Sequence, residues 1–212
     1  MFINAVKQIT PPIILKIFYA FKKPFKRTCL FDGDEKVFKE KATTCHVYGE
    51  YGCGQSTKWI YINTEVNIYS VDSSQAWANS VVSSINNSSR LKINYIDVGP
   101  IGDWGRPITY SKRDKYLDYI YGIWGNELKP DLILIDGRFR VACFFASILQ
   151  ADPGSCIIFD DYMNRPHYHL VEEYIHRDSN DGRQGIFIVP VLQSHERISI
   201  EELVKVFSNV ID

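Results

Sequence analysis

The sequence predicts an α/β domain built on a doubly wound, mostly parallel sheet. Three observations carry that prediction. Short apolar runs rich in β-branched and aromatic residues recur from residue 45 onward. Helical patterns fill the intervals between them. Several runs are apolar throughout rather than alternating, as strands covered on both faces must be.

The first element is residues 12–27, PIILKIFYAFKKPFKR, which place Ile14, Ile17, Phe18, Phe21 and Phe25 at helical spacing among lysines, with Pro24 positioned to end or kink the helix. Two readings stay open. The helix lies on an anionic membrane surface with its lysines at the headgroups, or it docks on its own domain or on a second subunit of a homo-oligomer. DGDEKVFKEKA (32–42) follows, with Asp32 or Asp34 as N-cap. The chain therefore divides into a basic extension, 1–31, and a main domain, 32–212.

Strands are expected at 45–51 (CHVYGEY), 67–72 (NIYSVD), 92–98 (KINYIDV), 131–137 (DLILIDG), 155–161 (SCIIFDD) and 185–191 (GIFIVPV). Helices are expected at about 55–64, 73–86, 110–128, 138–150, 166–176 and 199–210. In such a sheet, ligands bind outside the carboxyl ends of the strands, near the point where strand order reverses, so the residues at strand tips become the candidates.

Composition narrows the function classes. Hydrophobic content of 45% with 23% charged residues is that of a folded globular chain. Residues 1–31 carry Lys7, Lys16, Lys22, Lys23, Lys26 and Arg27 without an acid, so the remainder of a chain of net charge −1 is mildly acidic and lacks the basic stripe that nucleic acid requires. Five scattered cysteines without a CxxC pair suggest neither a disulfide framework nor a zinc knuckle, and fit a reducing cytoplasm. The stretch Ile13–Phe21 is too short to span a bilayer and has no small-residue cleavage site, so no secretory signal is expected.

The first strand ends in Glu50-Tyr51-Gly52-Cys53-Gly54-Gln55-Ser56-Thr57. Gly52 and Gly54 let the backbone turn tightly and approach a ligand, and the helix that follows offers free N–H groups. Asp72, at the end of the second strand, can accept hydrogen bonds from both ribose hydroxyls of a nucleoside, or cap the next helix, a task that Ser73 or Ser74 could also perform. GEYGCGQST followed by IYSVDSSQAW resembles motifs I and II of the class I S-adenosylmethionine-dependent methyltransferases, whose sheet is Rossmann-like. The resemblance runs to about residue 191. It implies S-adenosylmethionine as cofactor, with Glu50 near its methionine portion, Gly52, Gly54, Ser56 and Thr57 along it, Asp72 on the ribose, and Asp97 or a neighbour near the adenine. Thr57 stands where a dehydrogenase would carry the third glycine of Gly-x-Gly-x-x-Gly.

Further strand ends carry Asp136 (LILIDGRFR) and Asp160-Asp161 (IIFDDY). Three carboxylates at one sheet edge repel unless they are protonated, paired or bridged by a cation. The placement is similar to that in catechol O-methyltransferases and in sugar O-methyltransferases of macrolide and aminocoumarin biosynthesis, which implies Mg²⁺ held by Asp136, Asp160 and Asp161. The sugar enzymes carry an acid two residues beyond the fourth-strand Asp; here that place is Arg138. His167, or less directly His169, is then the candidate proton acceptor, with surface packing as the alternative. Arg138, Arg140 and Arg165 either clamp a substrate phosphate or carboxylate, or pair with Asp160, Asp161 or Glu172 and hold the loops. The pairing reading opposes the metal. The loop GPIGDWGRPITY (99–110), with Trp104 and Arg106, is either a substrate lid or a seal on the core edge. The expected function is O-methylation of a saccharide or other small polyhydroxylated metabolite, in the cytoplasm or at the inner membrane face, in surface glycan biosynthesis. The rival is a binding protein that keeps the fold without activity.

Overall fold

The structure is a computed structural model, and it describes residues 30–31, 35–85 and 89–211. The amphipathic segment 12–27 and the candidate caps Asp32 and Asp34 lie outside the described residues. In chain order the elements are α1 (Lys36–Ala42), β1 (Val47–Tyr51), α2 (Gln55–Asn63), β2 (Asn67–Asp72), α3 (Gln75–Ser84), β3 (Leu91–Tyr95), α4 (Tyr116–Ile120), β4 (Leu132–Ile135), α5 (Arg140–Gln150), β5 (Cys156–Phe159), β6 (Ser179–Asp181), β7 (Gln184–Ile188) and α6 (Ser194–Phe207). No helix among the described residues is long and apolar enough to cross a membrane.

The strands form one sheet in the order β3-β2-β1-β4-β5-β7-β6, parallel from β3 to β5, with β7 antiparallel to both β5 and β6. This is the doubly wound sheet that the sequence predicts. The chain leaves β1 in one direction and returns to lay β4 on its other side, so the reversal point falls between β1 and β4. The period of two explains the apolar runs: Ile133 and Ile135 of β4 enter one core layer, with Phe144, Phe159 and Tyr51, while Leu132 and Leu134 enter the other, with Phe38, Tyr48, Ile60 and Ile158. Every residue from Arg140 to Leu149 in α5 is buried, because that helix is sandwiched between the sheet and α6, where Phe145 meets Phe207 at 6.0 Å between ring centroids.

Several boundaries differ from expectation, and one strand is added. The helix expected at 110–128 reduces to a 3-10 turn (Arg113–Lys115) and the short α4. Gly122 stops it by packing its bare Cα against Val71, where a Cβ would come within 2.7 Å, and Gly125 turns the chain at φ 86°. The segment 166–176 is a 3-10 helix over Pro166–Glu173, and its buried residues, Tyr168 and Val171, stand three apart, the period of that helix. The last helix begins five residues early, at Ser194, because Glu196 Oε2 accepts from the Gln193 N–H at 2.7 Å and caps the end. Strand β6 is absent from the sequence prediction. It pairs with β7 through the two-residue turn Gly182-Arg183, with Gly182 at φ 56°.

Candidate functional site

At the carboxyl edge of the sheet, β1 runs into a bend at Gly52, whose φ of 88° belongs to the left-handed region. The bend also requires glycine sterically: a Cβ there would sit 2.9 Å from the Cα of Gly137, at the tip of β4. Two bare backbones thus cross at the strand-order reversal, opening the edge just above them. Beneath the bend, Glu50 is fully buried and accepts from the hydroxyls of Tyr48 (2.9 Å), Ser56 (2.8 Å) and Thr57. Thr57 Oγ1 in turn accepts from the Gly54 N–H at 2.7 Å. Burial pushes the Glu50 carboxyl up to about 7 against the pull of those hydroxyls. Glu50 and Thr57 therefore brace the bend from inside the core.

Asp72, at the tip of β2, anchors the same bend from the other side. Its Oδ2 accepts from the Cys53 N–H at 3.1 Å and its Oδ1 from the Ser74 N–H at 2.7 Å. Ser74, not Asp72, supplies the side-chain cap of α3, receiving the Trp77 N–H at 3.3 Å. Burial raises the Asp72 carboxyl above its ordinary value.

A cleft of about 850 Å³ opens over these groups. Gly52, Gly54, Ser56, Asp72 and Trp77 line one half, and Asp136, Arg138, Arg140, Asp161, Arg165 and Arg183 the other. The 99–110 loop, expected as a lid or as a seal on the core edge, crosses the first half. Ser73 Oγ donates to the Gly105 carbonyl at 2.8 Å, and Trp104 stands at the rim, 86% exposed and at φ 61°. Asp97 does not line the cleft. It is exposed and ion-paired with Lys112, which holds its carboxyl below the ordinary range. His167 is likewise exposed on the 3-10 turn, its ring against Tyr168 at 4.3 Å, and does not line the cleft. His169 bonds the Tyr162 carbonyl at 3.0 Å.

At the far half, ligand atoms of Asp136, Asp160 and Asp161 converge within 4.8 Å of one another. Guanidinium groups thread between them. Arg140, the first residue of α5, donates Nη2 to Asp136 Oδ1 (3.0 Å) and Nη1 to Asp161 Oδ2 (3.2 Å). Arg165 Nη2 donates to Asp161 Oδ2 at 2.7 Å, and Arg183 chelates the fully buried Asp160 and reaches Asp161 Oδ1 at 3.1 Å. Of the two uses foreseen for Arg138, Arg140 and Arg165, Arg140 and Arg165 adopt pairing with the acids. As paired, the carboxylates do not fit a divalent ion, because each is already engaged by at least one guanidinium. Burial first, and then Asp160, push the Asp136 carboxyl up to about 7, although Arg140 pulls it down. Backbone strain gathers here too: Phe139 and Asp161 hold φ of 53° and 59°.

Sequence reasoning missed Arg183 and Trp77. Asp181-Gly182 before an apolar strand is a hairpin signal that would have placed Arg183 at the β5 tip; no signal singles out Trp77.

The chain matches no family model, and no curated protein matches it. Among solved structures it is similar to a methyltransferase-like protein from Silicibacter pomeroyi DSS-3, with 30% identity over 80% of this chain and 92% of that one and a TM-score of 0.67. The N-methyltransferase NodS from Bradyrhizobium japonicum WM9, solved with S-adenosyl-L-homocysteine, shares 9% identity over 69% of this chain and 79% of its own, with a TM-score of 0.47. The chain belongs to the methyltransferase-like family of the first of these. Its fold is that of the class I S-adenosylmethionine-dependent methyltransferases.

Proposed function

We propose that the protein transfers a methyl group from S-adenosylmethionine to a hydroxyl oxygen of a small polyhydroxylated acceptor, a saccharide of surface glycan biosynthesis. One observation carries this reading: a single cleft of about 850 Å³ joins the glycine bend and Asp72 to Asp136. That volume lies in the range, roughly 300–1,000 Å³, of sites that enclose small ligands. Asp72 Oδ2 accepts from the Cys53 N–H and thiol and Oδ1 from the Ser74 N–H, and on this reading the carboxylate's outward side takes the two ribose hydroxyls. Ser56 and the N–H groups of α2 face the methionine portion.

The acceptor oxygen attacks the methyl carbon in line with sulfur; the C–S bond breaks and its electron pair stays on sulfur. The hydroxyl proton passes to Asp136, whose carboxyl, at about 7, is available in its ionised form at neutral pH. Arg138, on the same rim, is near enough to Asp72 to lower its pKa and contributes positive charge where the two halves meet. On this reading the protein works in the cytoplasm, with residues 12–27 touching the inner membrane face.

Calorimetry with S-adenosylhomocysteine, followed by transfer of labelled methyl from S-adenosylmethionine to a panel of mono- and disaccharides, tests the reading. One equivalent bound and label recovered in a base-stable ether is the expected outcome. Absence of cofactor binding would favour a partner-binding protein that keeps the fold, a reading helped by Arg138 standing where the sugar enzymes carry an acid.

A further inference from the structure

We infer that Arg140 and Arg183 stand where the metal-dependent enzymes this chain resembles hold a divalent cation, making Asp136, Asp160 and Asp161 an arginine-closed, metal-independent centre. The inference rests on the occupancy of oxygen lone pairs. Asp160 Oδ1 accepts from Arg183 Nε at 3.0 Å and from Gln184 Nε2 at 3.2 Å, while Oδ2 is bound by Arg183 Nη2. Both oxygens of Asp161 take guanidinium contacts, from Arg183 on one side and from Arg140 and Arg165 on the other. Arg140 completes the closure by spending its remaining N–H groups on backbone carbonyls: Nε on Gly137 (3.0 Å), Nη1 on Asp160 (2.8 Å) and Nη2 on Asp136 (3.2 Å). Those carbonyls are the oxygens that a hard cation would recruit to complete its shell, since such an ion needs about six oxygens at roughly 2.0–2.6 Å.

Charge gives the same answer independently. Three carboxylates face three guanidinium groups, Arg140, Arg165 and Arg183, so the cluster is formally neutral as it stands. Arg140 is buried at the first position of α5, with its side chain only 3% exposed. A dication set beside it would face a fixed like charge with little water to screen the repulsion. Arg140 sits at the positive end of a helix dipole, which costs stability unless acids surround it, and here three do. The same residues that would ligate a metal are thus required to keep this arginine buried. The arginines orient the acceptor end but do not acidify a hydroxyl by coordination, which leaves proton removal to a carboxylate.

The test uses the whole protein with Mn²⁺ as probe, read by the loss of its free paramagnetic signal and by the thermal midpoint. The expected result is no saturable binding below about 1 mM and a midpoint unmoved by Mn²⁺ or by chelator. One tightly bound equivalent of Mn²⁺ in the wild-type protein, lost in Asp160→Asn, would overturn the inference. Arg183→Met is the second arm, because it releases Asp160 Oδ2 and leaves Oδ1 only its Gln184 contact, with Arg140 in place. It should raise Mn²⁺ affinity by at least about tenfold, and a folded variant that binds no better than wild type would count against the assignment. The binding arms involve no methyl transfer, so failure of the proposed reaction and failure of this inference are read separately.

Discussion

The two halves of the cleft are built by opposite means. At the tips of β1 and β2, the groups are backbone N–H groups, hydroxyls and two carboxylates, Glu50 and Asp72, drawn from the short stretch between Tyr48 and Ser74. At the tips of β4 and β5, three carboxylates and three guanidinium groups are drawn from segments up to 47 residues apart, from Asp136 to Arg183, and saturate one another. The first half, on the proposed reading, is the cofactor socket. The second already holds its counter-charges, so its integrity depends on every member; on the proposed reading it shapes and polarises the acceptor pocket.

That difference is broken most severely by removing Arg140. Arg140→Met should leave Asp136 and Asp161 without their buried partner and strand three carbonyls, costing about 3–5 kcal/mol in urea unfolding. A loss below about 1 kcal/mol would mean that water replaces the guanidinium and that the cluster is not closed.

The socket carries its own liability in Glu50. Its carboxyl titrates at about 7 when folded against an ordinary value of 4.5, so the folded protein binds that proton more tightly than the unfolded chain does. Stability from this group is therefore complete below pH 4.5 and is lost as pH rises through about 7. The shift is worth roughly 3 kcal/mol. Glu50→Gln should flatten the decline between acid and neutral pH, which denaturant unfolding at several pH values would register. An unchanged profile would place the ionised carboxylate comfortably among its three hydroxyls.

The same contrast explains what the sequence made legible. The alternation of strands and helices along the chain, the glycine bend and Asp72 follow from local patterns, because the bend, its braces and its carboxylate are neighbours in sequence. The acids of the second half were visible one by one, yet their state was not: whether a cation or an arginine sits among them depends on where the β6–β7 hairpin delivers Arg183, a tertiary matter. His167 and Asp97 show the converse. Both lie a few residues past a strand tip, but Asp97 follows an edge strand that ends early, at Tyr95, and His167 rides a 3-10 turn whose buried face is Tyr168 and Val171. Proximity along the chain did not translate into access to the cleft.

Cofactor affinity sharpens the comparison from the socket side. Asp72→Asn should weaken S-adenosylhomocysteine about 100-fold, roughly 2.7 kcal/mol, since a charged acceptor for two hydroxyls is replaced by an amide with one acceptor oxygen. Asp97→Asn, made in parallel, should leave the affinity within about twofold, because its carboxylate is spent on Lys112 at the surface. Equal losses in both variants would put the adenine against Asp97 and require the 99–110 loop to move.

The smallest effect concerns that loop. Trp104 holds φ 61° while 86% exposed, so it carries the cost of a left-handed bulky residue without burying its ring in return. Trp104→Gly should relieve about 1 kcal/mol and raise the thermal midpoint by roughly 2–4 °C. If the ring closes over an acceptor or over the adenine, the same substitution must weaken binding of whichever ligand it covers. A variant that gains stability and loses affinity for S-adenosylhomocysteine assigns the indole to the socket; one that keeps cofactor affinity but raises KM for the acceptor assigns it to the arginine half. A variant unchanged in both would make Trp104 no more than the exposed tip of the loop.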